Sequence, residues 1–577
     1  MDDTDFIARS ASVRMHWGVR IPMRDGITLN ATLYLPPEQA RPAPAIFTLT
    51  PYVGQTYHDQ ALYFALAGYP FLTVDVRGRG NSEGDFDPFI NEGRDGHDAV
   101  QWLAAQDYCD GRVAMWGGSY GGYDQWATAR ERPRALASIA PVASPFMGID
   151  YPMRNNGAMP YWMQWLTLIS GRTSQDRMFW NNERYWGAKF CQWVESGLPF
   201  RELDTFLGNP SPTFRKWVAH PEPDGFWDDY NLKAADYANI DMPVLTITGA
   251  LDADQLGAMA HYREHLTHGP DGAASRHYLV IGPWDHAGTR VPQLRFAGID
   301  AGPNSLVDLK ALHRQWYDWT LGSGERPSFL KKNVAYYVMG ADEWRYADRL
   351  EGITSHSLLL ALQSDGTANS LYRSGRLVGG AQPSGEPDAY IYDPRRRELA
   401  RLEATVDPED RSDDRMVHAS DGRLLIYHSD PLEADIEISG FFRFEAWFAI
   451  DQPDTDFHAS VYEVDLRGRA IRLGADWVRA RYSRDLRHAE LVEDKEPRHY
   501  IFDRFMFLST IVRKGHRLRL VVGPHSSIYH QRNLNSPLPV SDQSIDDARV
   551  VTVNLFHDAD RPSFLSVPIG VTAAAGC

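Results

Sequence analysis

The sequence is poor in cysteine and has no long apolar run. Its three cysteines, Cys109, Cys191 and Cys577, show no CxxC spacing and are too few for a disulfide framework or a thiolate metal site. No apolar stretch approaches the ~20 residues that a membrane span needs. Residues 1–10 carry aspartates where a signal peptide would carry basic residues followed by an apolar run. We therefore expect a cytoplasmic protein with no membrane partner.

Positive charge is also scarce. Lys and Arg number 59 against 76 Asp and Glu, and the formal net charge is -17. Phosphate binding needs clustered Lys and Arg, so nucleic acid is not an expected partner. The sequence has no HExxH motif and no Cys/His pairs at ligand spacing, and Gly78-x-Gly80 does not open a helix as a dinucleotide fingerprint would. No metal or organic cofactor is implied.

Strands that alternate with helices dominate the first part of the chain. At 577 residues the chain exceeds what one hydrophobic core usually supports, so two or three domains are expected. The apolar runs Pro44–Thr50, Phe71–Val76, Arg112–Trp116, Pro243–Thr248 and His277–Ile281 read as buried strands. This order predicts a mostly parallel sheet that is covered by helices on both faces, an α/β core.

Two segments break this pattern. The stretch 145–240 is rich in Trp, Asn and Pro and lacks strand alternation, which favours an inserted helical cap; a second, independent structural domain is the alternative. Beyond residue 335, period-two alternation such as that around Phe442–Phe448 is typical of an antiparallel sandwich or jelly roll. The expected domains are 1–144 (first part of the core), 145–240 (cap), 241–335 (second part of the core) and 336–577 (β jelly roll).

A Gly-x-Ser-x-Gly motif follows one of the predicted strands and precedes a helical segment. Ser119 stands between Gly117 and Gly121, and small neighbours permit the strained turn that exposes a nucleophilic hydroxyl. The backbone N–H of Tyr120 would then point at a developing oxyanion. A glycine-rich loop without chemistry is the alternative, but the strand–turn–helix context favours a nucleophile.

An acid and a base follow two later strands. In α/β-hydrolases the order along the chain is Ser, acid, His, and open α/β sheets place such residues at the carboxyl ends of strands. We predict that His286 takes the Ser119 proton and that Asp252 holds the imidazole. Asp254 is the main rival for the acid, and Asp285 is a lesser one.

Taken together, these motifs resemble the CocE/NonD hydrolases, the family of cocaine esterase, α-amino acid ester hydrolase and the Xaa-Pro dipeptidyl-peptidase catalytic domain. The likeness covers nearly the whole chain, and its motifs occur in the family's order. They are Arg24-Asp25-Gly26, Asp75 to Gly84, Gly117-Gly118-Ser119-Tyr120, Gly249-x-x-Asp252, Gly282-Pro283-Trp284-Asp285-His286, Leu424-x-Ile426-Tyr427 and Gly515 to Leu520.

The resemblance implies a hydrolase core, a helical cap and a C-terminal jelly roll, and a homo-oligomer as a family-level expectation. It also implies that a tyrosine hydroxyl completes the oxyanion hole, for which the matching residue is Tyr52; a packed loop aromatic is the alternative. Family members that act on α-amino acid esters gather several carboxylates around the substrate ammonium. Asp124, Asp150 and Asp254 lie near site loops, but exposed carboxylates are common, so we do not assign them to that cluster and leave the preference for α-amino acyl substrates open.

The function that these residues predict is a serine hydrolase that cleaves small carboxylic esters through an acyl-enzyme on Ser119. The cap residues Trp162 and Trp165 are expected to line the acyl pocket, or else to pack the cap against the core. Three enzymatic alternatives share the triad: an amidase, an Xaa-Pro dipeptidyl-peptidase-like peptidase, and a β-lactam or amino acid ester acylase. Outside enzymes, the alternative is a non-catalytic jelly-roll protein that binds carbohydrate.

Overall fold

The computed structural model describes residues 9–39, 41–176, 183–322 and 324–571. Cys577 and the aspartates of the first eight residues, on which two expectations rest, lie outside these ranges. Cys109 and Cys191 are buried free thiols. In this described part of the chain, no helix has both the length and the apolar character needed to cross a bilayer.

A ten-stranded sheet forms the core. In chain order its strands are β1 (Arg14–Pro22), β2 (Thr28–Leu35), β3 (Ala43–Thr50), β4 (Phe71–Asp75), β5 (Cys109–Gly118), β6 (Leu136–Val142), β7 (Val244–Gly249), β8 (His277–Gly282), β9 (Val334–Val338) and β10 (Glu343–Ala347). The spatial order is β1-β2-β4-β3-β5-β6-β7-β8-β9-β10. Strands β3 to β9 run parallel, and β1, β2 and β10 are antiparallel at the edges.

Helices cover both faces of this sheet. They are α1 (His58–Leu66), α2 (Glu92–Ala104), α3 (Tyr120–Arg130), α4 (Gln255–His268) and α5 (Leu309–Leu321). Successive side chains of a strand point to opposite faces. In β3, Phe47 therefore packs in the cluster of α2 and α3, and Ile46 packs in the cluster of α1 and α5. The predicted α/β core is confirmed.

The cap is inserted between β6 and β7. Its helices are Tyr161–Leu168, Glu183–Ser196, Leu203–Phe206, Pro212–Val218, Gly225–Asp228 and Ala234–Tyr237. A short hairpin, Met153–Arg154 with Gly157–Ala158, precedes them. The tryptophans of the segment explain its composition, because Trp162 and Trp217 pack edge to face with ring centroids 5.8 Å apart inside the cap. The expected helical cap is confirmed.

The C-terminal part is a β domain with a core of its own. Its strands are Thr354–Asp365, Gly375–Gly379, Ser384–Glu386, Asp388–Tyr392, Leu425–Ser429, Ile436–Gly440, Arg443–Ile450, Asp456–Val464, Ala470–Arg479, Arg498–Phe502, Leu508–Val512, Arg517–Pro524, Val551–Phe556 and Phe564–Gly570. They form one 14-stranded sheet system. Two short helices, Glu398–Glu403 and Arg415–Ala419, interrupt it. Phe444, Ala446 and Phe448 face the core, as the alternation predicts.

Candidate active site

Ser119 occupies the sharp turn between β5 and α3. Its backbone has φ 60°, in the left-handed region that non-glycine residues rarely adopt. A Cβ on Gly117 would lie 3.0 Å from the Gly121 carbonyl oxygen, and one on Gly122 would lie 2.7 Å from that of Val142. The turn closes this tightly because the N–H of Ser119 donates to Val142 at 2.9 Å. Gly117 in the motif and Gly122 just after it therefore have no room for a side chain in the geometry that presents the hydroxyl.

The structure brings Ser119, His286 and Asp252 together from three distant loops. The Ser119 hydroxyl lies 3.1 Å from Nε2 of His286. Nδ1 of the same imidazole lies 2.7 Å from Oδ1 of Asp252. A neutral imidazole that donates from Nδ1 to the carboxylate keeps Nε2 as an acceptor for the hydroxyl proton. This continuous relay is the arrangement that activates a serine.

Asp252 is held more firmly than its two rivals. It is fully buried, and its carboxylate accepts bonds from the Thr248 hydroxyl at 3.0 Å and from the Asp254 N–H at 3.1 Å. Asp254 lies farther from the imidazole, with Oδ2 3.7 Å from Nδ1 of His286. Asp285 instead accepts the N–H of Gly288 at 2.7 Å and so stabilises its own turn. The orienting contact is therefore made by Asp252.

One tryptophan locks the acid and base loops to each other. Trp284 is fully buried between them. A Cβ on Gly249 would lie 2.0 Å from its carbonyl oxygen, and one on Gly282 would lie 2.2 Å from its ring. The N–H of Leu251 donates to this carbonyl at 3.0 Å. The glycines in the two sequence motifs thus make room for the residue that sets the distance between acid and base.

Tyr52 lies beside Tyr120, the residue after Ser119, with ring centroids 6.5 Å apart. The Tyr52 hydroxyl accepts the indole N–H of Trp165 at 3.0 Å, and burial raises its pKa above the usual range, so it stays protonated. The Tyr120 side chain turns inward, where its hydroxyl donates to Glu92 and accepts the N–H of Phe89 at 2.8 Å. Its backbone N–H, at the first residue of α3, is one of the N-terminal groups that a helix leaves without an internal acceptor.

The two cap tryptophans lie in different surroundings. Trp165 contacts Tyr52 and stacks on Tyr120 with ring centroids 5.9 Å apart, so it belongs to the site. Trp162 donates to the Pro152 carbonyl and packs among cap aromatics. Both are almost completely buried, with 2% of Trp162 and 4% of Trp165 exposed. The described contacts bring only Trp165 to the groups around Ser119.

Of the three carboxylates named from the sequence, Asp124 stands apart, whereas the charge of Asp150 adds to the rise that burial gives the pKa of Asp254. Asp124 is fully buried within α3. Asp150 accepts the N–H groups of Phe146, at 2.9 Å, and of Gly257, and these bonds hold a loop behind the acid. Asp254 alone, with 15% of its side chain exposed, lies beside the imidazole. In the described residues, no group of His, Cys, Asp and Glu side chains is placed to hold a metal ion.

Arg290 is a site residue that the sequence did not identify. Its Nη1 donates to the His286 carbonyl at 2.7 Å, and its Nη2 lies 3.5 Å from Nε2 of His286. The only sequence signal is its spacing, four residues after the histidine within a loop.

The fold and the relay of Ser119, His286 and Asp252 together define the class of protein. An α/β-hydrolase fold with such a relay is that of a serine hydrolase.

Comparison with known proteins narrows the class. The family model for X-Pro dipeptidyl-peptidase (S15 family) matches residues 25–288. The model for the X-Pro dipeptidyl-peptidase C-terminal non-catalytic domain matches residues 330–565. Cocaine esterase of Rhodococcus sp. (strain MB1 Bresler) is 27% identical over 96% of this chain and 98% of its own.

Two solved structures share the whole fold. An α-amino acid ester hydrolase superposes with a TM-score of 0.80 at 20% identity, covering 97% of each chain. A CocE/NonD family hydrolase from Staphylococcus aureus superposes with a TM-score of 0.67 at 14% identity, covering 97% of this chain and 94% of its own. The chain carries the two domains of the X-Pro dipeptidyl-peptidase (S15) models and is a homologue of cocaine esterase, in agreement with the resemblance to the CocE/NonD serine hydrolases that the sequence motifs indicated.

Proposed function

We propose that the protein hydrolyses small carboxylic esters through an acyl-enzyme on Ser119. The observation that carries the proposal is the relay from the Ser119 hydroxyl through His286 to Asp252, with separations of 3.1 Å and 2.7 Å. A relay of this kind is recognised by its geometry and by the role of each member. The names of the relatives, an esterase and an ester hydrolase, support an ester as the substrate.

Acylation would proceed in two steps. Ser119 Oγ attacks the carbonyl carbon while its proton passes to Nε2 of His286, and the carbonyl oxygen becomes an oxyanion. The Tyr52 hydroxyl and the Tyr120 N–H would donate to that oxyanion, and one such donor is worth about 3 kcal/mol. The intermediate then collapses. The bond to the alkoxide breaks, the imidazolium returns its proton to the leaving oxygen, and an alcohol departs.

Deacylation repeats the sequence with water. The water oxygen attacks the acyl carbon while His286 takes a proton from the water. Collapse of the second intermediate breaks the bond to Ser119 Oγ, and the imidazolium returns the proton to that oxygen. The products are a carboxylic acid and the free enzyme. Throughout, Asp252 stays ionised and stabilises the imidazolium.

A Ser119→Ala variant tests the proposal with a p-nitrophenyl ester as substrate. We expect the fold to persist by circular dichroism and kcat to fall by about four orders of magnitude or more, because the nucleophile is lost. A fluorophosphonate probe should label the wild-type protein stoichiometrically and fail to label the variant. Full turnover by the folded variant would refute the acyl-enzyme, and a wild-type protein that neither labels nor turns over would favour the carbohydrate-binding alternative.

Amide hydrolysis is the second candidate, and the match to the S15 peptidase model favours it. Both reactions pass through the same type of intermediate, so the triad does not separate them. Matched p-nitrophenyl ester and p-nitroanilide substrates with one acyl group do. We expect kcat/KM to be much higher for the ester; a comparable value for the anilide would assign the protein to the peptidases.

A further inference from the structure

The guanidinium of Arg290 packs over the turn that carries the nucleophile. A Cβ on Gly118, the residue before Ser119, would lie 3.1 Å from its Nε. Its Nη2 lies 3.5 Å from Nε2 of His286, the nitrogen that faces the Ser119 hydroxyl. The positive charge is therefore next to the reacting atoms. The absence of a side chain on Gly118 makes space for the guanidinium.

Within the described ranges of the chain Arg290 makes no ion pair, and the hydrogen bonds of its side chain go to His286. Its charge reaches the Asp254 carboxylate, where it opposes the rise that burial gives the pKa of Asp254. Its field reaches the neighbouring phenols. Burial raises the pKa of Tyr52 and of Tyr57, and the Arg290 charge opposes both rises. A partly buried cation is stabilised when an anion pairs with it, and the planar guanidinium of Arg can form two parallel hydrogen bonds with a carboxylate.

The position of Arg290 relative to the imidazole indicates which part of a substrate it would meet. Nε2 of His286 returns its proton to the leaving oxygen, so the leaving group must lie against this nitrogen when the intermediate collapses. A donor 3.5 Å from Nε2 is thus on the side of the leaving group. The acyl group, in contrast, stays bonded to Ser119 Oγ when the leaving group departs.

We propose that Arg290 binds a carboxylate carried by the leaving group, so that the preferred substrates are esters of hydroxy acids or other anionic alcohols. The inference rests on the proposed ester hydrolysis and adds the chemical class of the alcohol portion. The remaining N–H groups of the guanidinium would form charge-assisted hydrogen bonds with that carboxylate. The bond from Nη1 to the His286 carbonyl would hold the fork in place.

Three aryl esters of one acyl group test this proposal. Their leaving groups are a nitrophenol, a nitrophenol that bears a carboxylate, and the methyl ester of that same carboxylate. The quantity of interest is the ratio of kcat/KM for the carboxylate substrate to that for its methyl ester. We expect Arg290→Gln to lower this ratio about ten-fold or more, mainly through KM, and Arg290→Lys to keep part of it.

Arg295→Gln is the matched control. Arg295 is an exposed residue a few positions farther along the chain, where it donates to the Gly298 carbonyl, so its loss changes the net charge equally. It should leave the ratio unchanged. If Arg290→Gln lowers kcat/KM for the carboxylate substrate and its methyl ester by the same factor, or lowers neither, the residue only supports the His286 loop and the proposal is wrong.

A binding measurement separates this proposal from the proposed function. In Ser119→Ala protein, which forms no acyl-enzyme, the carboxylate-bearing nitrophenol should bind about ten-fold more weakly once Arg290→Gln is added. An unchanged dissociation constant would overturn the role of Arg290. Absence of Ser119-dependent ester turnover in the wild-type protein would instead overturn the proposed function, and the binding result would still decide the question of Arg290.

Discussion

Tyr52 illustrates how one hydrogen bond prepares a donor. The hydroxyl oxygen accepts the indole N–H of Trp165 at 3.0 Å, so its own proton is not used in that contact. The N–H of Tyr52 donates to the Thr50 hydroxyl at 3.0 Å, which holds the loop. In the proposed mechanism, the phenol proton would point at the oxyanion at no reorganisation cost when charge develops.

We expect Tyr52→Phe to lower kcat for a p-nitrophenyl ester about 100-fold to 1000-fold with little change in KM, because the donor acts on the transition state. Trp165→Phe keeps the aromatic packing and removes only the orienting bond, so its loss in kcat should be several-fold. Steady-state kinetics on the two variants checks this order. A Tyr52→Phe variant with wild-type kcat would show that the hydroxyl is not an oxyanion donor.

Glu92 lies in the interior beneath the nucleophile turn, where its carboxylate accepts the Tyr120 hydroxyl. Burial raises the pKa of Glu92 from 4.5 to about 7, and burial next to Glu92 raises that of Asp124 as well. The folded protein therefore holds a proton that the unfolded chain releases. By linkage, this group's contribution to stability is greatest at low pH, falls as pH rises from about 4.5 to about 7, and is level above that.

Glu92→Gln removes the titrating group and keeps an oxygen for the Tyr120 hydroxyl. We expect the variant to gain stability relative to the wild type between pH 5 and pH 8, by on the order of 2 kcal/mol, since each pKa unit corresponds to about 1.4 kcal/mol. Calorimetric melting at the two pH values measures it, with the exposed Glu433→Gln as control. A difference in stability that does not vary with pH would contradict the account.

The elements around the nucleophile could largely be predicted from the sequence, because glycines and apolar runs punctuate them clearly. The helix α4 was not predicted, because polar residues occupy its buried face. His265 bonds to the Ile240 carbonyl at 2.8 Å, His261 to that of Pro145 at 3.1 Å, and Gln255 is fully buried. Partners distant in sequence satisfy these groups, so the apolar period that marks a helix is lost.

The last two core strands were also not predicted. The core sheet continues through β9 and β10 to Ala347, beyond the expected boundary at residue 335. We propose a boundary near residue 350. β10 pairs antiparallel with β9, and three of its five residues are partly exposed, so neither a continuous apolar run nor a clean alternation marks it.

The packing of α2 on α3 depends on glycine. A Cβ on Gly96 would lie 2.0 Å from Oγ1 of Thr128, with two further Thr128 atoms within 3.2 Å. A Gly-to-Ala change in a helix normally stabilises by about 0.5–1 kcal/mol, but overpacking costs about 1–3 kcal/mol. The cost of overpacking is the larger of the two here, so we expect the added methyl group to displace α3. Because α3 begins at Tyr120, this displacement would also move Ser119.

We therefore expect Gly96→Ala to lower both the melting temperature and kcat. Gly352→Ala is the control, because a Cβ there meets no atom within 4 Å. Adding Thr128→Ala to Gly96→Ala should restore most of both properties, since it removes the crowding atoms. A Gly96→Ala protein as stable and as active as Gly352→Ala would refute the tight contact between the helices.

At the scale of the whole molecule, the β domain supports the acid loop directly. The Gln255 side chain donates to the carbonyls of Gly249 and Phe507 at 3.0 Å each, and accepts the N–H of Phe507 at 2.6 Å. The Gln255 amide thus connects the strand end before Asp252 to Phe507, which lies 252 positions after Gln255 in the chain. Neither this contact nor the position of Arg290 could be predicted from the sequence, because both depend on the relative placement of distant segments.

Gln255→Ala leaves buried main-chain groups of Gly249 and Phe507 without partners. Each such group costs about 1–3 kcal/mol, so we expect a clear fall in melting temperature. We also expect a lower kcat, because the loop before Asp252 loses its anchor. The exposed Gln382→Ala serves as control. Unchanged stability and kcat would show that the β domain is not needed to hold the acid in place.

Detection of the acyl-enzyme is the decisive test of ester hydrolysis through Ser119. The protein is mixed with an aryl ester, quenched in acid within the first turnovers and digested for mass spectrometry. The His286→Ala variant is treated in parallel, because an acyl-enzyme without its general base deacylates slowly and accumulates. We expect the peptide that contains Ser119 to gain the mass of the acyl group, at up to one equivalent. Efficient turnover with that peptide unmodified, or with the acyl group on another residue, would contradict it.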